Sequence, residues 1–133
     1  MIAFDNQILA IVKYNKIEMI NKTANTRYPV SSLIKNRWSP RAFSSEKIPE
    51  ENIMALFEAA AWSPSSRNEQ PWRFIYGIKD EDETYLKIFH TLVHWNQQWA
   101  NTAPLLVLSI ARLKSDFHNK DNAYAMYDLG QAV

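Results

Sequence analysis

Hydrophobic periodicity divides this 133-residue chain into an α+β domain whose sheet is incomplete. Three observations lead there. A helical apolar period follows Pro49, Trp72 to Ile78 alternates with the period of a strand, and Leu105 to Ile110 forms an apolar run. That run has the pattern of a buried central strand, which needs a neighbour on each side to satisfy its backbone groups. Two strands among three or four helices do not supply both neighbours. A partner chain or further sequence must complete the sheet.

Taken in order, the chain opens on a segment poorly joined to the remainder. Residues 1–24 read as an N-terminal extension outside the domain, which occupies 25–133, and Met19 can itself serve as a start. Ser31 or Ser32 can cap a short helix through Leu33, Ile34 and Lys35. Pro40 pushes Ser39 out of helical geometry, so Arg37 to Phe43 reads as a loop. Pro49 suits the first turn of the next helix, and Glu50 and Glu51 complement the positive end of its dipole. Ile53, Leu56, Phe57 and Ala60 form that helix's apolar face, and Trp62-Ser63-Pro64 ends it.

The strand Trp72 to Ile78 places Trp72, Phe74 and Tyr76 on one side. Asp80 to Glu83 starts one long helix carrying Tyr85, Phe89, Leu92, Trp95 or Asn96, and Trp99, stopped by Pro104. Lys114 to Asn122 reads as a polar loop. A last helix begins near Asn122 and carries Tyr124, Met126, Leu129 and Val133. It ends in mid-pattern on Gln131-Ala132-Val133, which suggests a chain cut short.

Composition excludes several chemistries. There is no Cys, so no disulfide scaffold, thiolate metal site or cysteine nucleophile. The two glycines, Gly77 and Gly130, are too far apart for a glycine-rich phosphate loop. A bound phosphate must therefore meet side chains or an ordinary helix N-terminus. The net charge of +1 gives no general nucleic-acid footprint, although a basic excess gathers around Lys35, Arg37, Arg41 and Lys47. No apolar stretch is long enough to span a bilayer, and no basic residue precedes the short run Ile8 to Val12 as in a leader peptide. The cytoplasm is the expected address.

Most candidate motifs are weak. His90 and His94 have the i, i+4 spacing of a helical metal pair, but Thr91 stands where a zinc protease carries Glu, and no third ligand is near. No glycines flank a serine to make a hydrolase elbow. Asp121 and Asp128 read as a loop residue and a helix residue, not as a catalytic pair. Two segments stand out. Arg37-Trp38-Ser39-Pro40-Arg41 brackets a hydroxyl with two guanidinium groups, donors suited to a phosphate or an anionic ring edge at about 1.5–3 kcal/mol per charged hydrogen bond. Pro64-Ser65-Ser66-Arg67-Asn68-Glu69-Gln70-Pro71-Trp72 sets short polar side chains between a helix and a strand, pinned by proline at both ends. Such a run serves equally well as a connecting turn or as a binding loop on a rigid frame.

Together these segments resemble the FMN-dependent nitroreductase family. The resemblance runs over residues 25–133 in the family's order: Arg37 to Phe43, the helix after Pro49, the Pro64–Trp72 run, Asn96 with Trp99, Ala103-Pro104 before the apolar strand, and Asp128-Leu129-Gly130 with Ala132. The Pro-Ser-Ser-x-Asn-x-Gln-Pro-Trp run is its most specific part. The resemblance implies a three-layer α/β/α sandwich around a mostly antiparallel sheet, of which this chain holds the N-terminal portion. It implies a homodimer with FMN at each subunit interface. Arg37, Ser39, Arg41 and Asn96 would contact the cofactor from one subunit, and Pro64, Ser65, Ser66 and Asn68 from the other.

The implied activity is a two-step exchange. NADH or NADPH delivers hydride to the flavin and leaves, and a nitroaromatic, quinone or similar small acceptor is then reduced, with no protein residue as the catalytic group. The scaffold also hosts dehalogenation and ring-modifying chemistry. Some relatives carry lysine where Trp99 stands, so one positive contact is missing or comes from elsewhere. The alternative expectation is a truncated, flavin-free dimer or interaction module without catalysis.

Overall fold

The computed structural model describes residues 10–13, 16–19 and 22–133. They fall into two compact units, one running up to Ala42 and the other Phe43–Val133. The early residues of the expected 1–24 extension lie in part outside the described residues. What is described there is a hairpin that the sequence pattern does not announce. Strand β1 (Ala10–Lys13) pairs antiparallel with β2 (Lys16–Met19), Ala10 opposite Met19 and Lys13 opposite Lys16.

The rest of the first unit is a short helix, α1 (Ser32–Asn36). Ser31 occupies its N-cap position but makes no side-chain cap bond, and the carbonyl of Ser31 instead receives the Lys35 amide at 3.0 Å. Leu33 and Ile34 are exposed, so α1 contributes no buried face. The Ala24 amide donates to the Lys35 carbonyl at 2.8 Å, tying the preceding stretch of chain to the helix end.

In the second unit, α2 (Glu50–Ala61) follows Pro49 as expected and buries Ile53, Leu56 and Ala60. Strand β3 (Trp72–Ile78) pairs antiparallel with β4 (Leu105–Ala111), from Trp72 opposite Ala111 to Ile78 opposite Leu105. Phe57 of α2 packs against the rings of Phe74 and Tyr76, at 5.6 and 5.3 Å between centroids, which confirms the aromatic side of β3. One apolar cluster joins Ala60, Trp72, Leu129 and Ala132; a second joins Tyr85, Ile88, Ala100, Ala103 and Leu106.

Three expectations are corrected. The long helix from Asp80 to Pro104 is two helices, α3 (Glu83–Thr91) and α4 (His94–Ala100). Leu92 and Val93 are extended between them, and the Gln97 side-chain amide donates to the carbonyl of Leu92 at 2.8 Å, satisfying a group that the break sets free. The run Leu105 to Ile110 is buried only at its start: Leu105 and Leu106 are covered, whereas Ser109 and Ile110 are exposed. Among the described residues β4 pairs with β3 alone. Finally, α5 (Ala125–Ala132) turns inward a different face from the expected one. Tyr124, Met126 and Val133 are exposed, and Ala125, Asp128, Leu129 and Ala132 are buried at i, i+3, i+4 and i+7.

Gly77 explains how close α3 lies to the sheet. A Cβ there would sit 2.5 Å from the Tyr85 Cα and 2.7 Å from the Thr84 carbonyl carbon. The backbone of α3 thus rests on a strand position that only glycine fits. Asp82 fastens the same corner, its carboxylate accepting from the amides of Ile78 at 3.0 Å and Tyr85 at 3.1 Å. The Ile78 bond above all, aided by Tyr85 and Thr84, holds the Asp82 carboxyl below the usual range. Burial pushes the Tyr85 phenol up, and its hydroxyl donates to the Ala103 carbonyl at 2.9 Å.

Candidate functional site

The loop between α2 and β3 is built around a buried carboxylate. Asp128, on the inward face of α5, is 2% exposed. Its Oδ2 accepts from the Ser65 hydroxyl and from the Ser66 amide, each at 2.9 Å. The Ser65 Oγ in turn accepts from the Gln70 amide at 2.9 Å, closing a ring across the loop. The Ser63 hydroxyl donates to the Gln131 carbonyl at 3.2 Å, so α5 holds the start of the loop at a second point.

The other side is held by Glu69. Its carboxylate accepts from the Ser115 hydroxyl at 2.6 Å and from the Asn122 side-chain amide at 3.2 Å. This fastens the loop to the polar segment after β4, itself closed by a Lys114–Asp121 ion pair at 2.5 Å. Hydrogen bonding to Lys114 and its charge hold the Asp121 carboxyl below the usual range. The Gln70 side-chain amide donates to the Ala61 carbonyl at 3.0 Å, satisfying the C-terminal turn of α2.

Held on these sides, the loop takes an unusual path. Ser66–Asn68 form a single 3₁₀ turn, and Arg67, Asn68 and Gln70 have φ of 56°, 54° and 44°. Three non-glycine residues in the left-handed region within four positions is uncommon. Asn tolerates this region through its short polar side chain; Arg and Gln do so at a cost met by the surrounding bonds.

The sequence-derived candidates divide accordingly. Pro64, Ser65, Ser66 and Asn68 come together on this loop, with Pro64 and Asn68 exposed and both serines half-buried. The Ser65 hydroxyl hydrogen is committed to Asp128, so a ligand can meet Ser65 only through its backbone or remaining lone pair. Asn96 lies in the first turn of α4, half-buried, its amide donating to the Val93 carbonyl at 2.8 Å. Arg37, Ser39 and Arg41 belong to the other unit and are all exposed. Arg37 ends α1 in extended geometry, its amide bonded to the Ile34 carbonyl at 3.3 Å. Among the described residues, no acceptor engages the guanidinium group of Arg37 or Arg41.

Sequence reasoning passed over Asp128 as an ordinary helix residue. The signal was its phase: it shares a helical face with Ala125, Leu129 and Ala132, where a carboxylate must find partners. His90 and His94, whose spacing reads as a weak metal pair on one helix, fall on two different helices, α3 and α4, so the i, i+4 geometry does not form. Trp99 packs on Phe43 with ring centroids 6.3 Å apart, and its indole N–H is buried without a partner among the described residues. No helix among the described residues is long and apolar enough to cross a membrane.

Comparison with known proteins agrees with the family resemblance. The model of the nitroreductase family matches residues 34–133, and the chain belongs to that family. The nitroreductase NfnB of Mycolicibacterium smegmatis is 42% identical over 50 residues, which are 38% of this chain and 21% of the relative. Iodotyrosine deiodinase 1 of Mus musculus is 29% identical over 119 residues, covering 64% of this chain and 41% of the relative. A solved oxidoreductase containing FMN superposes with a TM-score of 0.76 at 36% identity, covering 86% of this chain and 59% of its own. The fold is therefore the family's α+β fold, present in part. The chain spans less than half the length of these two curated relatives and 59% of that solved chain.

Proposed function

We propose that residues 25–133 belong to an FMN-dependent oxidoreductase that uses NADH or NADPH to reduce nitroaromatics, quinones or similar small acceptors in the cytoplasm. The observation that carries this reading is the Pro64–Gln70 loop, a specific sequence run with left-handed turns at Arg67, Asn68 and Gln70, held by half-buried hydrogen bonds. The family membership and the FMN-containing structural relative support it.

The donor set fits the cofactor's chemistry. Arg37 and Arg41 carry guanidinium forks without a protein acceptor among the described residues, suited to a phosphate or to the electron-rich edge of a ring. Ser39 offers a hydroxyl between them, and Asn68 and Asn96 offer side-chain amides that can both donate and accept. Bound FMN supplies the hydride-accepting and hydride-donating centre. The chain's own residues bind and orient it, and the positive charge of Arg37 and Arg41 favours an anionic ligand state. In this reading the two site segments meet at the interface of a homodimer, one contributed by each subunit.

Arg37→Ala tests the assignment. The wild-type protein is expected to purify with flavin absorbance in the visible range, and the variant to lose it, with affinity about tenfold or more lower. A fully loaded yellow variant overturns the role of Arg37. A colourless wild-type protein that gains no thermal stability from added FMN favours a flavin-free interaction module. The similarity to iodotyrosine deiodinase 1 supports a second reading, reductive dehalogenation on the same scaffold. Turnover of halophenols against nitroaromatics by the loaded protein separates the two.

A further inference from the structure

We infer that Asp128 is the positioning residue of the flavin-contacting loop: it imposes the path in which Arg67, Asn68 and Gln70 turn left-handed and thereby sets FMN affinity without touching the cofactor. The inference rests on the flavin reading proposed for this chain. It goes beyond that reading in assigning a function to a residue on α5 that is buried and offers no exposed group.

A carboxylate 2% exposed on an apolar helix face is retained only where hydrogen bonds replace its water. Here one oxygen, Oδ2, takes both bonds from the loop, one from the Ser65 side chain and one from the Ser66 backbone. A neutral side chain of the same size would make weaker bonds to those donors.

The loop needs such a hold. It has no glycine, yet Arg67, Asn68 and Gln70 all take positive φ. Local preference favours right-handed turns at Arg67 and Gln70, so contacts from outside the segment must select the observed path. Glu69 supplies one such contact through Ser115 and Asn122, on the far side of the turn. The Gln70 side chain adds a contact to Ala61 of α2. Asp128 fixes both ends at once, because the Ser65 hydroxyl it orients also receives the Gln70 amide. Released from Asp128, the loop is free to relax, and the Ser66 backbone and the Asn68 side chain leave the positions a cofactor would meet.

The test compares the wild-type chain with D128N and D128A, using FMN titration followed by flavin fluorescence and amide hydrogen exchange on the flavin-free proteins. Asp128→Asn keeps the size and one oxygen acceptor; Asp128→Ala removes both bonds. FMN affinity is expected to fall several-fold in D128N and by more than about tenfold in D128A. Exchange should accelerate at Ser66 and Gln70, while the β3 amides paired with β4 keep their protection. That selectivity is a readout a merely structural role would not give, since general loosening would expose β3 and α5 together.

Wild-type affinity in D128N with unchanged exchange at Ser66 and Gln70 overturns the inference. So does exchange in D128N that spreads equally over β3. If the wild-type chain takes up no FMN, the flavin reading fails and the affinity claim falls with it. The exchange data tell that failure apart from a loop that Asp128 does not hold.

Discussion

The segments Arg37–Arg41 and Pro64–Gln70 offer similar side chains, arginine and serine in both and an asparagine in the second, but the protein holds them in opposite ways. In the first, Arg37, Ser39 and Arg41 are exposed and follow a helix with no buried residue, and the guanidinium groups engage no acceptor among the described residues. The second is fixed by half-buried and exposed hydrogen bonds from α5, from α2 and from the segment after β4. One segment presents charge that is available; the other presents a shape that is already set. A cofactor with an anionic phosphate and a flat heteroaromatic ring needs both, charge for the one and preorganised backbone for the other.

The sharpest way to break the comparison is to remove the platform beneath the rigid segment. The loop runs directly into β3, and β3 carries α3 at Gly77. Gly77→Ala places a methyl group against the backbone of Thr84 and Tyr85, and backbone cannot swing aside as a flexible side chain can. We expect a loss of about 3 kcal/mol or more, read by denaturant melting. A wild-type midpoint would mean that α3 does not sit on the sheet at this distance.

Asp128→Ala comes next. It leaves the Ser65 hydroxyl and the Ser66 amide without their acceptor in a half-buried setting, at a cost of about 2 kcal/mol. Ser65→Ala should cost less, because the Ser66 amide keeps its bond. If the two losses simply add in the double variant, the serine and the carboxylate do not act as one unit.

Much of this scaffold is legible in the residues because it follows from local periodicity. Pro49 with Glu50 and Glu51 marks the start of α2, and the alternation from Trp72 to Ile78 coincides with β3. The features that escape depend on tertiary partners. The break at Leu92-Val93 has no proline or glycine to announce it; it is stabilised by Gln97 reaching back from the next helix. The sequence pattern of α5 points to Tyr124, Met126, Leu129 and Val133, while its true inward face keeps only Leu129 of these and adds Ala125, Ala132 and the Asp128 carboxylate. The site is half legible. Its residue types and order carry the family resemblance, but the carboxylate that bonds Ser65 and Ser66, that of Asp128, lies more than sixty residues away in sequence.

A milder test uses acid. Asp82 secures the α3 corner on which the platform depends, and its folded carboxyl lies below the ordinary value because the Ile78 amide, with Tyr85 and Thr84, bonds the charged form. A depressed carboxyl contributes stability that is present above the unfolded value, about 3.9, and lost as pH falls through the lower folded one. Stability measured between pH 6 and pH 3 should therefore decline on the acid side, and Asp82→Asn should flatten that decline. An unchanged acid limb in the variant would show that the cap bonds at Ile78 and Tyr85 form equally well with a neutral side chain.

The smallest expected effect on stability is also the one that separates the two segments most cleanly. Arg37→Ala and Arg41→Ala remove exposed side chains that no described residue uses as donors, so each should shift unfolding by no more than about 0.5 kcal/mol. At Asp128, stability and flavin affinity should fall together, since the same two bonds serve both. At Arg37 and Arg41, affinity should fall alone. Raising salt sharpens the distinction, because exposed charge is screened over a Debye length of about 8 Å at physiological ionic strength whereas the half-buried bonds of Asp128 are screened much less. Flavin binding that loses its salt dependence in Arg37→Ala, with the melting temperature unmoved, assigns the electrostatic part of recognition to this segment. A drop in melting temperature in either arginine variant would show that the segment is built into the fold and does not merely present charge.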